Sequence, residues 1–259
     1  MVKPLLALAL AAAGVAEHPA PEPAIGWSKN YSEARKRSAA EGRPVFVVFH
    51  ADWCAPCVEM EATTLRDPDV VAALEHFVPL KLDYVPGTAK RFGVAAIPYV
   101  MVLDERGDEI TGRLGDVGNM PLVTLLRDVD EGYAAYRNDV IARGDFAASR
   151  RAAVYLASLR NQTRALDLLE EGLKGIPESD PGRERAELDV AEARELAHNL
   201  GGAAKLYEKL AGSATDRDIR GKALWRLERV EARRGRTVEA ARARDRLVRE
   251  FPDLATPGD

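Results

Sequence analysis

Along the first half of the chain, short apolar runs bounded by turn residues alternate with segments whose apolar positions recur every three or four residues. Val45-Phe46-Val47-Val48-Phe49 is β-branched and aromatic, too brief for a helix and suited to a buried strand. Val78-Pro79-Leu80-Lys81-Leu82 alternates as a strand, and Tyr99-Val100-Met101-Val102-Leu103 is a third run. Glu105-Arg106-Gly107-Asp108 reads as a hairpin turn into a fourth strand around 110–113. Helix signals fill the gaps. Asn30 with Glu33 three residues on opens a helix that Gly42 and Pro44 close. A second helix is predicted from Cys54 to about Thr64, broken near Leu65 and resumed through Val70, Val71 and Leu74 after the cap Asp67-Pro68. A short helix over 87–92 ends at Gly93, and 122–136 supplies a closing helix. These elements predict a mixed α/β domain over residues 26–136.

From about residue 137 the strand signals stop, aromatic residues thin out, and Ala, Leu, Arg and Glu dominate, which predicts an all-helical segment over 137–259. Its punctuation recurs: Ile176-Pro177 closes a helix pair, Gly201-Gly202 and Gly235-Arg236 are expected to join helices, and Phe251-Pro252 ends the last. The run 203–210 aligns with 240–247 at the spacing of helix-hairpin repeats, and 164–173 fits more loosely. Residues 224–252 resemble a tetratricopeptide repeat, with Gly235, Ala240 and Pro252 at the expected kinds of position. Such a segment serves either as a concave surface for a partner's peptide or protein segment, or as a helical cap that packs on the first domain or dimerises.

The net charge of −4 and the even mixing of arginine with acid in the helical half exclude a nucleic-acid surface. Residues 1–16, with a charged start, a short apolar core and a small-residue exit at Ala16, read as a secretory signal, and 17–25 as an extended proline-rich linker. A periplasmic or secreted protein is expected, membrane-anchored if the signal stays uncleaved.

The chain's two cysteines both fall in Trp53-Cys54-Ala55-Pro56-Cys57, between the first strand and the helix that follows it. At a helix N-terminus, unpaired N–H groups and the helix dipole favour a thiolate, so Cys54 is expected to be the more acidic, attacking thiol and Cys57 the resolving one. A structural zinc site needs four ligands, and of the four histidines only His50 is near in sequence. A purely structural crosslink closing so small a loop restrains the unfolded chain little. No cofactor is expected beyond the cysteine pair itself.

The element order, the Cys54/Cys57 pentad, the Ala96-Ile97-Pro98 step ahead of a strand and the glycine-bearing hairpin resemble the thioredoxin family. Within it, 49–61 with Thr64, Asp67 and Val70 looks like the C-terminal thioredoxin-like domain of the thiol:disulfide interchange protein DsbD. The resemblance implies a thioredoxin fold, a central mixed sheet flanked by helices, with Pro98 as a cis-proline facing Cys54 and with Trp53, Ile97 and Pro98 as the substrate-docking surface. Two positions depart from the family: Val48 stands where thioredoxins carry a buried Asp, and Val58 where they carry Lys. Proton transfer would then fall to Glu61, Asp52 or His50. The implied activity is thiol-disulfide exchange through a mixed disulfide, in the direction of a reductase or electron relay, with protein thiols and disulfides and an electron-donating or electron-accepting redox protein as partners. The rival reading is a redox-sensing binding module whose tail holds a partner and whose cysteines do not turn over.

Overall fold

The computed structural model describes residues 25–141 and 145–255; the expected signal (1–16) and all but the last residue of the expected linker lie outside them. Helix α1 (Tyr31–Glu41) opens on Asn30, whose side-chain oxygen accepts from Glu33 N at 3.1 Å. Strand β1 (Val45–His50) follows, then α2 (Ala55–Ala62), a 3-10 turn (Thr64–Arg66), α3 (Pro68–Leu74) capped by Asp67, and β2 (Val78–Asp83). Next come α4 (Pro86–Phe92), β3 (Tyr99–Leu103), β4 (Glu109–Leu114) and α5 (Asn119–Ile141). The four strands lie in the order β2-β1-β3-β4, with β1 and β2 parallel and the other pairs antiparallel. The fold is a thioredoxin-like mixed sheet with helices.

Side-chain alternation assigns each strand residue to a face. Phe46, Val48, Val100, Val102 and Ile110 pack with Met60, Leu65, Val70, Leu122 and Leu126 from the helices on one side. Val45, Val47, Phe49, Val78 and Leu80 meet Ala34 and Val94 on the other. Because both faces of β1 are covered, its sequence is continuously apolar until it leaves the core at His50. In the β3–β4 turn Gly107 has φ +88°, and a Cβ there would run into the Tyr31 hydroxyl, so this position requires glycine.

The helical half consists of α6 (Phe146–Ser158), α7 (Gln162–Lys174), α8 (Arg183–Leu196), α9 (Leu200–Ser213), α10 (Arg217–Arg233), α11 (Thr237–Glu250) and the short α12 (Pro252–Ala255). Successive helices pack as pairs. The aligned runs 203–210 and 240–247 lie in α9 and α11, where Ala203 and Leu210 of the first, and Ala240 and Leu247 of the second, are all buried. Gly235, with φ +75°, does turn the chain from α10 to α11. The expectation for Gly201-Gly202 is corrected: both lie in the first turn of α9, and the corner is made by His198 at φ +60° and Asn199, whose side chain caps Gly202 N at 3.0 Å. A Cβ on Gly202 would collide with the Asn199 amide, so this glycine serves close approach rather than chain reversal.

The two halves share one core. Helix α5 runs straight through the expected boundary at 136/137, and Val129, Tyr133 and Tyr136 belong to the same cluster as Phe46 and Val102 of the sheet and Ala152, Leu156, Leu159 and Leu169 of α6 and α7. The Tyr155 hydroxyl donates to the Val129 carbonyl at 2.7 Å, and Thr111 Oγ1 on β4 donates to the Leu159 carbonyl at 3.1 Å.

Candidate functional site

Strand β1 ends at His50, and three residues of loop carry the chain to Cys54, the N-cap of α2. The Cys54 backbone is extended (φ −89°, ψ 97°), its N–H donates to the Ala51 carbonyl at 3.0 Å, and its Sγ accepts from Cys57 N at 3.3 Å. The sulfur therefore lies against the unpaired N–H groups of a helix start, where negative charge is stabilised. Pro56 fits this first turn because the N–H it lacks would have no helical partner. The two cysteines form a disulfide. Cys57 is fully buried, Cys54 is 5% exposed, and the neighbouring Trp53 is 75% exposed. A partner can therefore reach the pair from the Cys54 side.

Tyr84, from the segment after β2, and Ile97 pack against Ala51, Cys54 and Cys57. The Tyr84 hydroxyl donates to the Ala95 carbonyl at 3.0 Å and ties the 84–87 and 94–98 segments together. The Ile97–Pro98 peptide is cis, and the Pro98 carbonyl accepts from Gly115 N at 2.8 Å. Trp53, Ile97 and Pro98 thus lie at the disulfide's end of the sheet, with Ile97 in contact with the cysteines.

Of the three sequence candidates for proton transfer, the structure joins two. Glu61 lies one turn beyond Cys57 on α2, with its Oε1 3.3 Å from His50 Nδ1. His50 Nε2 lies 3.1 Å from Asp83 Oδ1, so a protonated imidazole would donate to a carboxylate from each nitrogen. Lys81 Nζ is 2.6 Å from Glu61 Oε1. Asp52 stands apart, exposed in the loop. Val48 is fully buried in the core beside Met60 and Leu65, and in the parallel register it faces Lys81, as His50 faces Asp83. The charge near this end of β1 is thus carried by Glu61 from the helix rather than by position 48.

Lys81, Asp83 and Tyr84 are the neighbours that the sequence reading did not single out. The signal for the first two lay in pairing: a parallel β1–β2 register sets Lys81 against Val48 and Asp83 against His50. Tyr84 carried no such signal, since its contact depends on how loops meet beyond the strand ends.

A family model described as thioredoxin-like matches residues 26–127. The DsbD protein of Ralstonia nicotianae is 38% identical over 88 residues, a match covering 32% of this chain and 14% of that protein. The DsbD protein of Pseudoalteromonas atlantica is 33% identical over 93 residues, covering 32% of this chain and 16% of that protein. The chain therefore spans a small fraction of the length of these relatives. Among solved structures, a thioredoxin from Thermus thermophilus matches with 29% identity over 41% of this chain and 88% of that one, at a TM-score of 0.38. The oxidised C-terminal domain of Neisseria meningitidis DsbD matches with 26% identity over 37% of this chain and 89% of that one, at a TM-score of 0.34. Residues 26–127 form a thioredoxin-like domain related to DsbD, followed in this chain by a region of packed helix pairs.

Proposed function

We propose that this protein is an exported thiol-disulfide oxidoreductase that reduces, or relays electrons to, disulfides of other envelope proteins. The observation that carries the reading is the Cys54–Cys57 disulfide at the start of α2, with Cys57 sealed in the core and Cys54 at the rim beside Trp53 and Ile97. In the reducing direction, the Cys54 thiolate attacks one sulfur of a partner disulfide, forming a mixed disulfide and releasing the partner's other sulfur as a thiolate, which takes up a proton. Cys57 then loses its proton and attacks Cys54 Sγ, which closes the Cys54–Cys57 disulfide and frees the second partner thiol. Two electrons and two protons pass to the partner, and an electron-donating redox protein restores the dithiol. Glu61, with its Lys81 and His50 neighbours, is the group we assign to taking the Cys57 proton.

The similarity to DsbD, named a thiol:disulfide interchange protein, supports the exchange chemistry. Export rests on the leader-like residues 1–16.

Trapping tests the reading. Cys57→Ser, expressed in the native envelope, should accumulate mixed disulfides through Cys54, whereas Cys54→Ser should form none and have no disulfide reductase activity. Wild-type rates in Cys54→Ser would refute it.

A further inference from the structure

The strand ends define one face of the molecule. The C-termini of β1, β2 and β4 and the N-terminus of β3 point the same way, so the segments 51–54, 84–87, 94–98 and 115–118 gather around the disulfide. This face exposes large apolar side chains: Trp53, Val58 and Val85 are each about half exposed or more. Its charge is one-sided. Asp52, Asp83 and Asp116 are exposed at it and Glu59 is exposed on α2, the helix that starts there, and none of 50–63, 82–89, 93–98 or 114–118 contains a Lys or Arg. Of the cations that flank these segments three are engaged, and Lys90 is exposed in the last turn of α4. Lys81 is held by Glu61, Arg91 stacks over the Tyr31 and Phe92 rings, and Arg113 donates to Thr111 Oγ1 and the Gly112 carbonyl. The acid is local, since the chain as a whole carries only −4 on 78 charged residues, 37 basic and 41 acidic.

We infer that the redox partner is a protein whose reactive disulfide or dithiol is flanked by apolar residues and by Lys or Arg. This rests on the exchange reading above and adds the partner's chemistry. An apolar centre around Trp53 excludes water on docking, while the carboxylates on its rim attract a basic surface, speed encounter and repel acidic competitors. The segments themselves hold no Lys or Arg, so their carboxylates favour a basic partner over an acidic one.

The test uses the full-length reduced protein and three disulfide probes: a peptide disulfide flanked by Lys, the same peptide flanked by Asp, and neutral 2-hydroxyethyl disulfide. At low salt the Lys-flanked peptide should react about tenfold faster or more than the Asp-flanked one. Raising the salt to about 0.5 M should bring the ratio towards one, because exposed charges are screened. The double variant Asp52→Asn/Glu59→Gln should lower the low-salt ratio, and Asp52→Lys/Glu59→Lys should invert it. Reaction with 2-hydroxyethyl disulfide but equal rates for the two peptides, a preference for the acidic one, or a ratio indifferent to salt would overturn the inference and leave the exchange reading standing. A folded protein that reacts with none of the three probes would overturn both.

Discussion

Asn161 donates its side-chain amide to the Glu109 carbonyl at 2.8 Å and to the Ile110 carbonyl at 3.1 Å, while its side-chain oxygen caps Arg164 N at the start of α7. One residue thus starts a helix of the C-terminal half and pairs carbonyls of β4, the edge strand of the sheet. Edge carbonyls left bare invite pairing with another chain, and here the α6–α7 corner covers them. Arg164 Nη2, 2.5 Å from Asp108 Oδ2, fastens the same corner. Asn161→Ala removes a cap and two hydrogen bonds to partly buried carbonyls, so it should cost about 1–3 kcal/mol. Urea unfolding of the full chain measures it; a loss under about 0.5 kcal/mol, the range of ordinary surface substitutions, would show that water replaces the amide at this joint.

The shared core makes a second prediction about where the chain can be cut. A fragment ending at residue 136 removes the last turns of α5 and strips Ala152, Leu156 and Leu159 from the cluster that holds Tyr133 and Tyr136. A fragment ending at residue 175 keeps α6 and α7 and the Asn161 joint. The longer fragment should unfold cooperatively and the shorter one should be markedly less stable, with weak near-ultraviolet circular dichroism from its tyrosines. Equal melting of the two would show that the sheet and its flanking helices need no cover from α6 and α7.

How much of this was legible in the sequence follows from which forces are local. Caps are local, and Asn30, Asp67-Pro68 and the Cys54-Ala55-Pro56 start all form as their spacing implies. Strands buried on both faces announce themselves as continuous apolar runs, so β1 and β3 were plain. The cysteine pair was legible because its chemistry depends on spacing within one helix turn. Lys81 and Asp83 were not singled out, because their role depends on register between strands some thirty residues apart. The burial of Tyr136 against α6 was hidden for the same reason, and Gly201-Gly202 misled because a glycine pair serves close approach as well as a turn.

Asp104 makes the third prediction, on pH. It is almost fully buried; its Oδ1 accepts from Arg106 N and Asp108 N at 2.9 Å each, and its Oδ2 faces the Tyr136 hydroxyl at 3.2 Å. Burial raises its carboxyl above the ordinary value of 3.8, and this outweighs the backbone N–H groups that pull the other way. The folded state therefore binds this proton more tightly than the unfolded chain does. Its contribution to stability is fully present below the unfolded value and is lost as pH rises through the folded one. Asp104→Asn keeps the acceptor and removes the charge. The melting temperature of wild type minus that of Asp104→Asn should accordingly fall as pH rises past the ordinary carboxyl value of 3.8. A flat difference would show that the two N–H groups cancel the effect of burial, and one that grows with pH that they outweigh it.

Glu61 makes the last prediction. Its carboxylate holds Lys81 at 2.6 Å and His50 at 3.3 Å, one helical turn from Cys57, in a chain whose position 48 is an apolar core residue. Two roles compete for it: neutralising a partly buried lysine, and accepting the proton that Cys57 gives up when it attacks the mixed disulfide. Glu61→Gln separates them. A structural role alone predicts a stability loss of about 1 kcal/mol and an unchanged rate, since a lysine near the surface recovers water as its partner. A proton-accepting role predicts in addition that the resolving step, measured as loss of a preformed Cys54 mixed disulfide, slows about 100-fold, the lower end of what a positioned base supplies. Glu61→Asp, which keeps the charge but shortens the reach, should recover part of that rate. We expect the slow resolving step and the partial recovery; a Glu61→Gln protein that resolves mixed disulfides at the wild-type rate would confine Glu61 to pairing with Lys81 and move the proton's destination elsewhere in the site.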